Sequence, residues 1–379
     1  MNKILTVYDN DEPLNNVVSA LTLQVDEIFY VYHHDVNLNH FVNIDKVLTR
    51  YKDIKTHFIQ LSNDVPQLQQ ILDENKDLII DVGGAKYLSL LLFELTKNTS
   101  YQIIYYDDEE NNIKDYRTHT VITDKVFKLQ IDDVLTLRGG EIKEYMHRNA
   151  ADKRTIETIM EVVDKNIGNY GNFIRYITKV NSIISSSEYL GANTYQLSND
   201  NARNLITDGG YKNIGDLFEI DEENCLTFKT RKLKELTSVS GAFLENYLFI
   251  KLNESGYFDD VKMSAVIDFS DEKYIYPVRC ELDCLLIRNN RMLFVSCKST
   301  KADADTLNEI YVHNSRFGNA LSLPVLCICE ELDRKYPSTY AKAEELGIYI
   351  VDRSSFVDDD VCKVFLSIVE GTYIYDDIR

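Results

Sequence analysis

No run of 18 apolar residues occurs anywhere in the chain, which excludes a membrane-crossing helix on length alone. No two cysteines form a CxxC pair. The seven present are an odd number, and this argues against both a disulfide framework and a zinc site. Proline is scarce, at 5 residues, and low-complexity tracts and internal repeats are absent. Neither a GxxxxGK(S/T) nor a GxGxxG loop is found, so the common phosphate-binding signatures are missing. Basic residues are in deficit: 41 Lys and Arg face 61 Asp and Glu, for a formal charge of -20. That balance argues against a high-affinity, salt-driven duplex binder. It leaves room for a protein that meets polyanions through a local basic groove. What remains is an ordinary globular composition, 44% hydrophobic and 27% charged, long enough at 379 residues for two or three domains. The chain opens on the strand-like run MNKILTVYDN, so a soluble cytoplasmic protein without a leader is expected. Cys280, Cys284, Cys327 and Cys329 sit in strand-like runs and read as small core residues of a reducing compartment.

The most informative stretch is Val278 to Ser299, VRCELDCLLIRNNRMLFVSCKS. It predicts two short strands around the turn Arg288-Asn289-Asn290-Arg291, because Asn tolerates positive φ. Strict alternation would put Val278, Cys280, Leu282, Cys284 and Leu286 on one face, with Glu281 and Asp283 on the other. On the second strand Ser296 and Lys298 lie opposite Leu293, Val295 and Cys297. Two carboxylates and a lysine then meet at one end of a hairpin. A carboxylate-held divalent metal beside a lysine suits phosphodiester hydrolysis; the other reading is an edge hairpin with a solvated acidic face. Upstream, residues 240–248 open a helix on which Glu245 shares a stripe with Phe249 and Leu252. A carboxylate there needs a partner or a metal, unless it sits at the border of the stripe. Lys298, Lys301, Arg288 and Arg291 are expected to cluster near this site.

These residues resemble the nuclease domain of the PD-(D/E)XK superfamily: a helix Glu, a strand Asp, then a strand ending in x-x-Lys. The resemblance implies catalytic roles for Glu245, Glu281, Asp283, Ser296 and Lys298. It implies a metal held by Glu245, Asp283 and the backbone carbonyl of Cys297. Ser296 departs from the pattern, standing where Glu, Asp or Gln is usual, and Glu281 is placed to make up the deficit.

The N-terminal part has another grammar. Strand-like runs at 4–8, 27–32, 58–61, 77–82 and 101–106 alternate with helical segments, which predicts a parallel sheet with right-handed crossovers. Ligands of such sheets collect beyond the carboxyl ends of the strands. Gly83-Gly84-Ala85-Lys86 falls at one such end, ahead of an apolar helix from Tyr87 to Thr96. It reads either as an anion-binding loop or as a tight turn that needs glycine for packing.

The two parts together resemble the CRISPR-associated Rossmann fold (CARF) nucleases of type III CRISPR systems. The resemblance implies three parts: a Rossmann-like domain at 1–140, a helical, winged-helix-like connector at 141–238 and a restriction-endonuclease-like domain at 239–379. It implies a homodimer that binds a cyclic oligoadenylate, tetra-adenylate favoured, as activator of a Mn2+- or Mg2+-dependent cut in DNA and RNA. By carry-over, Asp9, Asn10, Gly83, Gly84, Ala85 and Lys86 touch the messenger, and Ala85 stands where Thr is frequent. The alternative is a messenger-responsive DNA-binding regulator with a degenerate nuclease domain, which Ser296 favours.

Between the two parts, Lys153 to Asp164 and Asn172 to Ile184 carry helical periodicity, so the segment from Glu141 is expected to be helical first. Gly209-Gly210 reads as a turn and Asn224 to Phe228 as a strand, with no basic recognition face. Further on, a helix from Thr306 to Asn314 carries Glu309 and His313; His313 either reaches the site or packs. His33 and His34 follow a strand and either line the messenger pocket or sit in an exposed loop.

Overall fold

The structure, a computed structural model, describes residues 2–9, 12–33, 36–83, 86–146, 153–207, 217–239, 241–269, 278–299, 302–318, 321–332, 336–357 and 360–373. The first sheet contains β1 (Lys3–Val7), β2 (Glu27–Tyr32), β3 (Lys55–Gln60), β4 (Leu78–Asp81), β5 (Gln102–Asp107), β6 (Asn112–Asp115) and β7 (Val121–Thr123). Their order is β3-β2-β1-β4-β5-β6-β7. The first five are parallel, and β6 and β7 add antiparallel at the edge. All five expected strands are present. The β6–β7 hairpin escapes a periodicity reading because it is short and follows the acidic turn after β5.

Successive residues face opposite ways, so the sheet is covered on both sides. Ile4, Ile28 and Tyr30 pack on the helices Asn15–Thr22 and Leu38–Tyr51. Leu5, Val7 and Ile80 pack with Leu68, Leu72, Leu88 and Leu92 of the helices Asp64–Glu74 and Lys86–Thr96. The strand order reverses between β1 and β4, so the loops after them open at the switch point where α/β sheets bind ligands.

Glu27 of β2 is a buried carboxylate met by the His57 ring, Nε2 at 2.7 Å, and by two lysines, Lys55 Nζ at 3.1 Å and Lys3 Nζ at 3.2 Å. The His57 hydrogen bond leads in holding its pKa down at about 2, against the opposing effect of burial. A group with a lowered folded pKa stabilises above its ordinary value and loses that contribution as pH falls towards the folded one. Glu27→Gln is therefore expected to cost on the order of 1–2 kcal/mol at neutral pH, after allowing for the exposure of Lys55. In urea titrations that difference should shrink as pH drops from 4.5 towards about 2; a pH-independent difference would disprove the charge assignment.

The rest of the chain builds two more sheets. β8 (Gly140–Met146) leaves the first domain; β9 (Glu188–Gly191), β10 (Thr194–Gln196), β11 (Phe218–Ile220) and β12 (Cys225–Phe228) form a small sheet in the order β11-β12-β10-β9. β13 (Asp260–Phe269), β14 (Val278–Arg288), β15 (Arg291–Lys298), β16 (Leu323–Ile328) and β17 (Tyr349–Val351) join β8 in the order β17-β16-β15-β14-β13-β8. The segment expected to be helical from Glu141 thus begins as an edge strand. Its charges Glu141, Lys143 and Glu144 mask the half-buried Ile142 and Tyr145 that pack inward. The expected helices follow, at Lys153–Asn166 and Tyr170–Ser185. Gly209 and Gly210 lie outside the described residues.

The six-stranded sheet is covered on both faces. One packs with the helix Ala242–Ser255, the middle helices and the last helix, Val361–Val369. The other, through Ala265, Ile267, Leu282, Leu285, Ile287 and Phe294, continues into the core of the first domain. Among the described residues no helix is long and apolar enough to cross a membrane.

The β14–β15 turn is the predicted one. Arg288 pairs with Arg291, and Asn289 and Asn290 have φ of 49° and 63°, which is a two-residue hairpin of type I′ character. The fully buried Asn290 bonds the first domain twice: Oδ1 accepts from Leu129 N–H (2.9 Å) and Nδ2 donates to Phe127 C=O (3.0 Å). Arg291 donates to the carbonyls of Asp108, Glu109 and Val369 at 3.0–3.3 Å. Arg288 donates to Tyr257 C=O and to Glu370. These two arginines, expected to line a basic groove near the carboxylates, instead fasten the hairpin tip. Arg288 lies five residues from Asp283 along the strand, roughly 17 Å. Lys301 lies outside the described residues.

Candidate active site

Side-chain alternation on β14 fails at Asp283. Leu282 packs with Leu285 and Ile287 towards the first domain, whereas Cys284 and Leu286 pack on the opposite core. The expected common face for Leu282, Cys284 and Leu286 is therefore not formed. The cause lies on both strands: Met263 pairs with Cys284 and Ala265 with Leu282, and the intervening Ser264 takes a left-handed φ of 48°. Such an irregularity re-aims the residue beside it. Asp283 uses this place to turn one oxygen towards β15. Its Oδ2 accepts from Cys297 N–H at 2.7 Å and from Ser296 Oγ at 3.1 Å. Ser296 thus orients the carboxylate by a hydrogen bond.

Glu281, Asp283, Ser296 and Lys298 line one open cavity, closed on its far side by Glu309 and His313 of the helix Ala304–Phe317. Glu309 and His313 are four residues apart and so share a helix face, which brings both to the cavity. Burial holds the His313 imidazole below its ordinary pKa, which favours the neutral ring. Glu245 is not part of the lining but stands close behind it. Burial first, then the Asp283 and Glu281 carboxylates, push its pKa up to about 7, and Lys298 opposes them. Cys297 is buried, and its hydrogen bond with Cys327, together with burial, raises the thiol well above its ordinary range. Any metal contact of Cys297 is therefore through its backbone.

Gly241 is the position that sequence reasoning passed over. It starts the helix Ala242–Ser255 with φ of 90°, and a Cβ there would lie 3.1 Å from Glu245 Oε1 and 3.6 Å from Ser299 Oγ. Ser299 Oγ is itself buried with no hydrogen-bond partner among the described residues. Among the described residues no three His, Cys, Asp or Glu side chains converge tightly enough to form a metal cluster. The donors are nonetheless hard oxygens with mutually repelling carboxylates, which is the chemistry a divalent cation relieves.

At the first sheet, Asp9 and Gly83 flank the switch point. Asp9 Oδ1 accepts from Glu12 N–H (3.1 Å), and its backbone exchanges bonds with the Asn16 side chain at 3.0 and 2.8 Å. Gly83 N–H donates to Asp81 Oδ1 (2.9 Å), and a Cβ at Gly83 would lie 3.1 Å from that oxygen. The missing Cβ thus makes room for a buried carboxylate, whose pKa burial raises to about 6. His33 at the end of β2 bonds Asp64 at 2.5 Å and leans on the exposed ring of Tyr87. Asn10, His34, Gly84, Ala85 and the Lys86 side chain lie outside the described residues; the Lys86 backbone starts the helix Lys86–Thr96.

The sequence matches no protein-family model and none of the curated proteins compared with it. Its fold does have counterparts. A crystal structure of the protein VC1899 from Vibrio cholerae superposes with a TM-score of 0.79 at 15% identity, covering 98% of each chain. Can2 from Sulfobacillus thermosulfidooxidans, solved in complex with cyclic tetra-adenylate (cA4), superposes with a TM-score of 0.68 at 15% identity, covering 96% of each chain. The expected α/β architecture is the one found: a Rossmann-like N-terminal sheet followed by a second sheet in the arrangement these proteins share.

Proposed function

We propose that the chain is a nuclease gated by a cyclic oligoadenylate. The observation that carries this reading is the gathering of Glu281, Asp283, Ser296 and Lys298 on one cavity, with Glu245 held against them near neutral pKa. Glu245, Asp283 and the carbonyl of Cys297 would hold a divalent ion, Mn2+ or Mg2+. Such an ion polarises a phosphoryl oxygen and makes bound water acidic when present. Lys298 steadies negative charge on the phosphate, Ser296 and Cys297 N–H fix Asp283, and Glu281 adds a second carboxylate at the rim. The helix Ala304–Phe317 bounds the space a phosphodiester would enter.

In this reading residues 1–140 bind the messenger at the switch point, 141–238 connect, and 239–379 cleave. Asp9, Asn10, Gly83, Gly84, Ala85 and Lys86 form the messenger loops. Tetra-adenylate is the favoured ring, supported by the cA4 bound to the similarly folded Can2. The working unit is a homodimer in the cytoplasm, and the messenger favours its competent arrangement only by its differential affinity for it. DNA and single-stranded RNA are both substrates.

The test is incubation of labelled single-stranded DNA, RNA and supercoiled plasmid with Mn2+ or Mg2+, with and without cyclic tetra- or hexa-adenylate. Cleavage that requires one ring and disappears in Lys298→Ala is the expected result. A second reading rests on Ser296, which bonds Asp283 where an acidic ligand is usual. It makes the chain a messenger-responsive DNA-binding regulator, identified by sequence-specific duplex binding with no cleavage in any combination.

A further inference from the structure

We propose that the small sheet and the helix Arg231–Ser238 form a platform for a single nucleic-acid strand, which delivers the substrate to the carboxylate site. The inference rests on the nuclease reading and adds where the substrate lies. Its first basis is charge. In a chain with 61 acidic and 41 basic residues, the segment 229–235 holds Lys229, Arg231, Lys232 and Lys234 against Glu235 alone. Glu235 pairs with Arg231 at 3.0 Å and more distantly with Lys232 at 3.9 Å, and Arg231 stays 85% exposed. Lys234 has no carboxylate partner among the described ion pairs.

The second basis is aromatic. Tyr189 of β9 faces Tyr195 of β10 across the hairpin, with ring centroids 5.1 Å apart and planes tilted 46°. Lys234 Nζ stands 4.5 Å from the Tyr189 centroid and 5.1 Å from that of Tyr195. Tyr189 is 54% exposed and its neighbour Leu190 51%, although both occupy a strand of a folded sheet. The ammonium stands over one ring and offers a phosphate its counter-charge, and the exposed remainder of Tyr189 offers a base a stacking surface. A duplex hides its ring faces, so an unpaired strand is the ligand this geometry fits. The acidic residue of β9 is Glu188, one position before the ring.

The third basis is position. The helix Arg231–Ser238 packs on the helix Ala242–Ser255 that carries Glu245, and only residues 239–241 separate them in sequence. No basic face was expected in this region. It is hidden from a linear reading because the rings come from β9 and β10, and the cation from a helix about 40 residues later.

The test uses labelled oligo-dT and oligo-rU of roughly 20 nucleotides, longer than the about 4–16 nucleotides that one single-strand binding fold covers. Fluorescence anisotropy is read in EDTA, so binding is measured apart from cleavage. Tyr189→Ala should weaken binding about tenfold, while Tyr189→Phe should stay within about twofold, because stacking survives loss of the hydroxyl. Lys234→Ala should lower the slope of log K against log salt by about 0.7, one phosphate contact on a single strand. Cyclic tetra-adenylate affinity, read on the same preparations, should match the parent and so report intact folding. Unchanged affinity and slope in the alanine variants would overturn the platform, as would a parent that binds neither oligonucleotide. A duplex of equal length competing as well as the single strand would overturn the single-strand assignment. Failure of the nuclease reading appears separately, as no metal-dependent cleavage by the parent.

Discussion

Asp283→Ala is expected to lower messenger-stimulated cleavage by about 10³-fold or more, while the cyclic oligoadenylate binds with parental affinity. The argument starts from Oδ2, which accepts from both Cys297 N–H and Ser296 Oγ. That fixation leaves the carboxylate one orientation, so alanine removes both a charge and the partner that orders the end of β15. The charge loss has a second consequence that does not depend on turnover. Burial leads in raising Glu245 to about 7, and Asp283 comes next. In Asp283→Ala the Glu245 carboxyl should therefore titrate nearer its ordinary range, by carboxyl NMR, yet stay elevated because burial persists. Cleavage at the parental rate would remove Asp283 from the site; an unmoved Glu245 titration would show that the two carboxylates do not share one field.

The largest expected loss of stability comes from Asn290→Ala, about 3 kcal/mol. The side chain is fully buried and satisfies Leu129 N–H and Phe127 C=O together. Alanine leaves both without that partner, at about 1–3 kcal/mol each before relaxation. It also loses the tolerance of Asn for the observed φ of 63°. Urea denaturation midpoints of parent and alanine variant read that loss. An alanine variant with the parental midpoint would show that the tip does not hold the hairpin to the first domain.

Much of this was legible in the sequence because period and turn chemistry are local. The alternation of β1 to β5 with helices, the Asn-Asn turn and the strand–turn–strand order around Asp283 are all written in neighbouring residues. The irregularity at Ser264 was not, since a left-handed serine has no composition signal and the face change it accompanies appears only once β13 pairs with β14. Strict alternation therefore put Leu282 with Cys284. The basic residues misled for a related reason. Arg288 and Arg291 are near Lys298 in the sequence, but a hairpin carries its turn away from its open end. Glu309 and His313 reach the cavity from a separate helix, and four-residue spacing shows only that they share a face. Gly241 reads as a helix boundary, and only the position of Glu245 reveals why a side chain is excluded there.

The core that runs without interruption from Ile28 and Val134 to Leu285 and Phe294 has a consequence for dissecting the protein. A fragment starting near residue 239 would lose β8 from the edge of its sheet and present Ala265, Ile267, Leu282, Leu285, Ile287 and Phe294 to water. An open strand edge above an uncovered apolar face is a template for aggregation. A fragment ending near residue 140 would strip the other half of the same contact. On this packing the two parts are expected to unfold together, and truncation is a poor way to ask what either of them does.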